Sequence, residues 1–225
     1  MSVLSSRPAS VVVFDAYGTL FDVHSAVMRH ADRVGPDAQR LSEIWRTKQL
    51  EYSWVLSLAD RYEPFWPLTV RALDHAFDAV PSADRGTRAD LLAAYRTLLP
   101  YPEAKEVLAA LKAAGVPTAI LSNGDPDMLD AAVGSAGFGD RLDAVLSVDA
   151  ARIFKTHPRA YDLVAQRFGV TGADVLFVSS NRWDVAGAAA YGFSAVWVNR
   201  TNRPDEYPGL DPVAVIKDLR GLAAG

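Results

Sequence analysis

The stretch VVVFDAYGTLF, Val11 to Phe21, limits the folds open to this chain more than any other. Four consecutive apolar residues, three of them β-branched, describe a strand buried on both faces, and Tyr17, Gly18 and Thr19 end it in an abrupt turn. Strands of that kind belong inside parallel sheets. Asp15 stands at the carboxyl end of the strand, where a carboxylate is costly unless something nearby neutralises it or its reactivity is used. A turn or helix-capping aspartate is the competing reading of the same position.

Beyond Phe21 the apolar spacing becomes helical and stays so to about residue 97. Val23, Ala26, Val27, His30 and Val34 predict a first helix, with Asp22 as cap and Gly35-Pro36 as stop. Leu41 to about Asp60 predicts a second helix with two apolar faces, one carrying Trp45 and the other Leu50, Trp54 and Leu58. Val70, Leu73, Phe77 and Val80 predict a third. Leu91 to Leu99 predict a fourth, opened by a Thr87/Asp90 capping box. From Tyr101 helices and strands alternate. Strands are expected over Val116–Leu121, Ala144–Val148, Val175–Val178 and Ala195–Val198, and a last helix near Val213–Leu222.

This order predicts an α/β fold, a doubly wound and mostly parallel Rossmann-like sheet, with residues 1–20 and 98–225 as core and residues 21–97 as an inserted helical-bundle cap. Ligands of such sheets bind beyond the carboxyl strand ends. Asp15, Ser122-Asn123 and Ser179–Asn181 each end an expected strand, so they converge on one edge. The helical insertion leaves and re-enters at that edge, placed to cover it and exclude water.

Composition narrows the chemistry. Half of the 225 residues are hydrophobic, enough for a sizeable core, and a net charge of -4 gives no electrostatic reason to expect nucleic acid or an anionic membrane as partner. The absence of cysteine excludes disulfides, thiolate zinc sites and a cysteine nucleophile, and fits a reducing compartment. The amino-terminal segment MSVLSSRPAS lacks the apolar region of a secretion signal, and no run approaches the ~18 apolar residues of a membrane helix. A cytoplasmic protein is expected.

The segments FDAYGTLFD (Phe14 to Asp22), LSNGDP (Leu121 to Pro126), FK (Phe154, Lys155) and FVSSNRWD (Phe177 to Asp184), in this order and spacing, resemble the four motifs of the haloacid dehalogenase superfamily. Within it the chain is similar to the L-2-haloacid dehalogenases, and the cap segment WRTKQLEYSW (Trp45 to Trp54) resembles that branch too. Phosphatases of the superfamily resemble one another in a second aspartate two residues after the nucleophile and in acidic residues that hold magnesium in the fourth motif. Here Tyr17 and Ser179, Ser180 and Asn181 occupy those positions. Magnesium prefers several oxygen ligands, carboxylates among them, so neither a metal nor any other cofactor is expected.

The resemblance implies a hydrolase that removes halide from short L-2-haloalkanoic acids, with Asp15 attacking C2 to give an ester and an inverted 2-hydroxy acid. It implies Arg46 and Asn123 as donors to the departing halide, although Arg46 by helix position alone reads as a solvated residue. Lys155 is implied as the cation that relieves repulsion between nucleophile and substrate carboxylate, and Ser122 as a group that holds that carboxylate. Thr19 and Ser179 resemble residues that orient Asp15. Asp184 with Asn181 activates water against the ester, or Asp184 positions Lys155. Tyr161 joins the polar network or only packs. Tyr17, Leu50, Phe65 and Trp183 resemble the apolar pocket, with core packing as the alternative. His157, in a Lys155-Thr156-His157-Pro158 run where proline is expected directly after the lysine, reads as a helix cap. By resemblance the partners are a small-molecule substrate and a second copy in a homodimer. A magnesium-dependent phosphatase and a noncatalytic binding module on the same fold are the alternatives.

Overall fold

A computed structural model describes residues 3–222. Residues 1–2 and 223–225, at the outer ends of the expected core ranges and at the start of the amino-terminal segment read for a signal, lie outside the described residues.

Six strands, β1 (Val11–Phe14), β2 (Thr118–Ser122), β3 (Ala144–Ser147), β4 (Val175–Ser179), β5 (Ser194–Val198) and β6 (Ala214–Ile216), form one sheet in the order β3-β2-β1-β4-β5-β6. Every neighbouring pair is parallel. The fold is α/β and Rossmann-like. β1 lies at the centre, fully buried, and the chain steps outward from it to one side through β2 and β3 and to the other through β4, β5 and β6. A cleft opens beyond the carboxyl ends at such a reversal. Phe14 pairs in register with Ile120 and with Val178, so the next residue, Asp15, emerges level with Leu121 and Ser179.

Helices α1 (Val3–Ser6), α2 (Ser25–Met28), α3 (Ala31–Val34), α4 (Ala38–Leu58), α5 (Phe65–Ala79) and α6 (Arg88–Arg96) precede β2, and all but α1 lie between β1 and β2. α7 (Ala104–Ala113) also precedes β2, and the next strands are joined by α8 (Pro126–Ala136), α9 (Pro158–Phe168) and α10 (Arg182–Tyr191). In α4 the buried Trp45 donates its indole N–H to the Thr69 carbonyl (2.8 Å), and Gln49, one turn on, donates to Thr69 Oγ1 (2.9 Å). Tyr95 of α6 donates to Gln49 Oε1. These bonds fix the rotation of α4 about its axis, which turns Arg46 and Leu50 toward a cleft at the sheet edge.

Several expectations are corrected. The segment expected as a last helix forms β6 and a short 3₁₀ turn at Leu219–Gly221. The open edge of β5 takes up its backbone groups, Val213 N–H on Ala195 O and Asn199 N–H on Ile216 O (both 2.8 Å), and the β-branched Val213, Val215 and Ile216 suit an extended strand. The first helix of the insertion is divided into α2 and α3, because His30 leaves the helical region (φ -122°, ψ 15°). The Thr87/Asp90 capping box does not form. Thr87 Oγ1 donates to Asp84 O, and Asp90 pairs with Arg33.

Candidate active site

The turn after β1 is built around the Asp15 carboxylate, which is 5% exposed. Its Oδ2 accepts from Asn181 Nδ2 (2.7 Å), Thr19 Oγ1 (3.1 Å) and Ser179 Oγ (3.4 Å). Among the described residues its Oδ1 accepts only from Lys155 Nζ (3.1 Å). The turn closes because Gly18 adopts φ +94°, a conformation that side chains disfavour, and an added Cβ there would also press on Ser180 Oγ at 3.3 Å. Ser180 ties the two strand ends together, donating to Gly18 O (2.5 Å) and offering its N–H to Thr19 Oγ1 (2.8 Å).

Lys155 is 1% exposed and bridges two carboxylates, Asp15 at 3.1 Å and Asp184 at 2.9 Å. Burial alone would push its ammonium down, yet the charges of Asp15 and Asp184 hold it above the ordinary lysine value. Asp184, at the start of α10 and wholly buried, is pushed up to about 6 by burial, against the pull of Lys155. The Tyr161 hydroxyl donates to Asp184 Oδ1 (2.8 Å), and burial followed by the charge of Asp184 raises that phenol well above its usual value.

Facing this group from α4, Arg46 Nη2 donates to the Tyr17 carbonyl (3.3 Å) and reaches Asn181 Oδ1 at 3.5 Å. Arg46 and Leu50 line a cleft of about 430 Å³ with Gly18, Asn181, Trp183 and Arg200. Tyr17 is buried, its ring stacked on Tyr95 (centroids 5.6 Å apart) and 6.4 Å from Phe65, and its hydroxyl has no partner among the described residues. Asn123 accepts the Lys155 N–H on Oδ1 (3.0 Å), while its buried Nδ2 has no partner among the described residues. An unpartnered buried donor beside a lysine-held carboxylate suits a developing anion.

The comparisons with known proteins agree with this geometry. A family model described as haloacid dehalogenase-like hydrolase matches residues 9–192. The chain belongs to the haloacid dehalogenase-like hydrolases. The "(S)-2-haloacid dehalogenase 1" of Pseudomonas sp. strain CBS-3 is 48% identical over 201 residues, covering 89% of this chain and 88% of that protein. A crystal structure of a dehalogenase with an intermediate complex superposes with a TM-score of 0.94 at 45% identity, covering 96% of both chains. The L-2-haloacid dehalogenase from Xanthobacter autotrophicus, solved with chloropropionic acid covalently bound, gives 0.85 at 42% identity, covering 94% of this chain and 95% of that one. Within the haloacid dehalogenase-like family the chain falls in the L-2-haloacid dehalogenase branch.

In this haloacid dehalogenase-like chain, one group assembles directly around the Asp15 carboxylate: Thr19, Lys155, Ser179 and Asn181, with Asp184 and Tyr161 behind Lys155. Arg46, Leu50 and Trp183 line the cleft. Two residues expected at the substrate have partners within the chain. Ser122 is wholly buried and its Oγ accepts the Gly124 N–H (3.2 Å), and Tyr161 is spent on Asp184. His157 caps α9, its Nδ1 accepting from Arg159 N–H. Arg200 escaped the sequence reading. Its Nη2 donates to the Thr19 carbonyl (3.0 Å), Nη1 pairs with Glu103 (2.6 Å) and the guanidinium lies 3.7 Å from the Tyr101 ring. It follows β5 in an exposed-looking NRTNR run, and no spacing rule singles it out.

Proposed function

We propose that the protein is an (S)-2-haloacid dehalogenase, hydrolysing short L-2-haloalkanoic acids through an ester on Asp15 to the inverted 2-hydroxy acid. The observation that carries this reading is the combination of one carboxylate gripped by three donors and a lysine with a tyrosine where a leaving-group acid would stand two residues on. Halide leaves as a stable anion and needs no proton. The chloropropionate-bound relative supports the covalent step.

In the proposed mechanism the three bonds to Oδ2 hold the carboxylate, and Oδ1, with a single hydrogen bond, attacks C2 from behind the carbon–halogen bond. Bringing the substrate carboxylate to ~4 Å from Asp15 costs on the order of 4 kcal/mol at an effective dielectric of 20, and Lys155 offsets it. Arg46 and the free amide of Asn123 receive the halide. Water then attacks the Asp15 carbonyl carbon, and Asp184 takes its proton. Asp184 must be ionised for this, so kcat is expected to fall as pH drops through about 6, the value to which burial pushes its carboxyl. Asp184→Asn is expected to accumulate the Asp15 ester in intact-mass spectra. Slow ester formation without accumulation would instead give Asp184 the role of positioning Lys155.

The donor set does not suit magnesium. Ser179, Asn181 and Tyr17 are neutral, and the Lys155 ammonium stands between the two carboxylates, Asp15 and Asp184, which works against the phosphatase reading. Purified protein in EDTA is expected to release halide from L- and not D-2-chloropropionate, forming the D-hydroxy acid. EDTA-sensitive hydrolysis of phosphate esters without halide release would sink the proposal.

The further proposals are organisational. Residues 1–20 and 98–225 act as the core and residues 21–97 as the cap, supported by the Arg46 contacts across the cleft. A homodimer is supported by the exposed Val55 and Leu58 on α4, the latter 90% exposed, and light scattering is expected to give about twice the 24.3 kDa chain mass. Among the described residues no helix is long and apolar enough to cross a membrane, and the lack of cysteine supports a cytoplasmic setting.

A further inference from the structure

Asp125 is a buried carboxylate that the mechanism above does not use. It sits at the amino end of α8, where an aspartate ordinarily caps its own helix, yet its side chain makes no bond to that helix. Instead it crosses to the insertion. Oδ1 accepts the Phe65 N–H and Oδ2 the Trp66 N–H, both at 2.7 Å, at the start of α5. Of the four backbone positions left without helical partners at that end, Pro64 and Pro67 have no N–H, so only Phe65 and Trp66 have donors to place. Asp125 takes both. With no acidic residue in the first turn of α5 and no side-chain cap from Pro64, its carboxylate is the one hydrogen-bonded to that helix's positive end.

The other polar ties in this region are weaker. Arg96–Asp127 is largely exposed, and Tyr62 donates to a partly exposed Asp149 (2.8 Å). Asp125 is 6% exposed, so its two bonds are shielded from water. What they hold is the Phe65 ring, 1% exposed, 6.4 Å from Tyr17 and 5.9 Å from Phe154. The preceding residue, Gly124, meets the same wall from beneath, because a Cβ added there would lie 2.7 Å from Tyr17 Cε2. Asn123, Gly124 and Asp125 thus carry, in succession, the free amide donor, the floor under Tyr17 and the grip on Phe65.

We propose that Asp125 is a positioning residue that fixes the Phe65 wall against Tyr17 and so sets how well the enzyme accepts the alkyl group on C2 of its substrate. The proposal rests on the dehalogenase reading. Chloroacetate has no alkyl group at C2, whereas L-2-chloropropionate and L-2-chlorobutanoate do, so the three substrates separate a local wall from general damage.

Asp125→Asn keeps one acceptor and sets an amide N–H₂ against a backbone N–H. It is expected to raise KM for the two alkyl-bearing substrates about tenfold relative to chloroacetate, with kcat on chloroacetate little changed. Asp125→Ser, which offers one acceptor without an opposed donor, is measured beside it and held to the same criterion. In a Phe65→Ala background neither change is expected to alter selectivity further. Equal losses on all three substrates, unchanged selectivity, or a selectivity change that persists without the Phe65 ring would overturn the proposal while leaving the dehalogenase reading intact. Absence of halide release by the wild-type protein from all three would overturn that reading, and this proposal with it.

Discussion

Asp15→Asn is expected to abolish halide release, lowering kcat by at least about 10⁴-fold, and to leave no mass adduct after incubation with L-2-chloropropionate. The amide oxygen can still accept from Thr19, Ser179 and Asn181, and Asp184 still pairs with Lys155, so the variant should remain folded. Activity falls because the amide is no longer an anionic nucleophile. Since the three donors act on whichever group stands at residue 15, their separate removal should cost less than the loss of Asp15 itself. Residual turnover in Asp15→Asn within about a hundredfold of wild type would place the nucleophile elsewhere.

Lys155→Met is expected to damage both activity and stability. Removing the ammonium leaves Asp15 and Asp184 buried without their shared cation, and breaking a buried pair in this way costs about 3–5 kcal/mol. The loss should depend on pH in a definite direction. Burial already pushes the Asp184 carboxyl up against the pull of Lys155, and without that cation its folded-state value rises further above the unfolded value near ~4, so the folded state binds a proton more readily. The deficit is then smallest below the unfolded value and grows as pH rises through the folded one. Urea denaturation at about pH 5 and about pH 8 checks this, the variant losing more against wild type at the higher pH. Halide release should fall about 10²–10³-fold or more even where the variant is folded, because the repulsion between nucleophile and substrate is no longer offset. A variant equally destabilised at both pH values would show that the Lys155 bridge is not the electrostatic centre of the site.

The two variants probe different links of the same arrangement. In the proposed mechanism Asp15 supplies the reacting atoms. Lys155 sets a buried cation 3.1 Å from the Asp15 carboxylate and 2.9 Å from Asp184. The 430 Å³ cleft lined by Arg46, Leu50, Asn181 and Trp183 is the proposed approach for the substrate.

Much of this was legible from residues alone. The run VVVF had to be a central buried strand because nothing else accommodates four apolar residues ahead of a glycine turn, and Asp15 followed as a strand-end carboxylate. The alternation of helix and strand after residue 101 determined the parallel sheet and the convergence of Asp15, Asn123 and Ser179–Asn181. Tyr17 in place of a second carboxylate determined the kind of leaving group the site suits. Other features depend on contacts between segments far apart in sequence, to which local patterns are blind. β6 is a strand only because β5 offers an open edge, where the spacing of Val213 to Leu222 by itself favoured a helix. Asp125 reads locally as the cap of α8, and only the approach of α5, with prolines at two of its four unpartnered positions, turns its carboxylate toward Phe65 and Trp66. Arg200 reads as a surface charge until the Thr19 carbonyl and Glu103 meet it from segments 181 and 97 residues away. Strands, turns and the reactive carboxylate follow from short-range preference. Which donor satisfies which buried acceptor was decided by the tertiary structure, because a hydrogen bond is set by distance and direction in space and the chain order leaves both open.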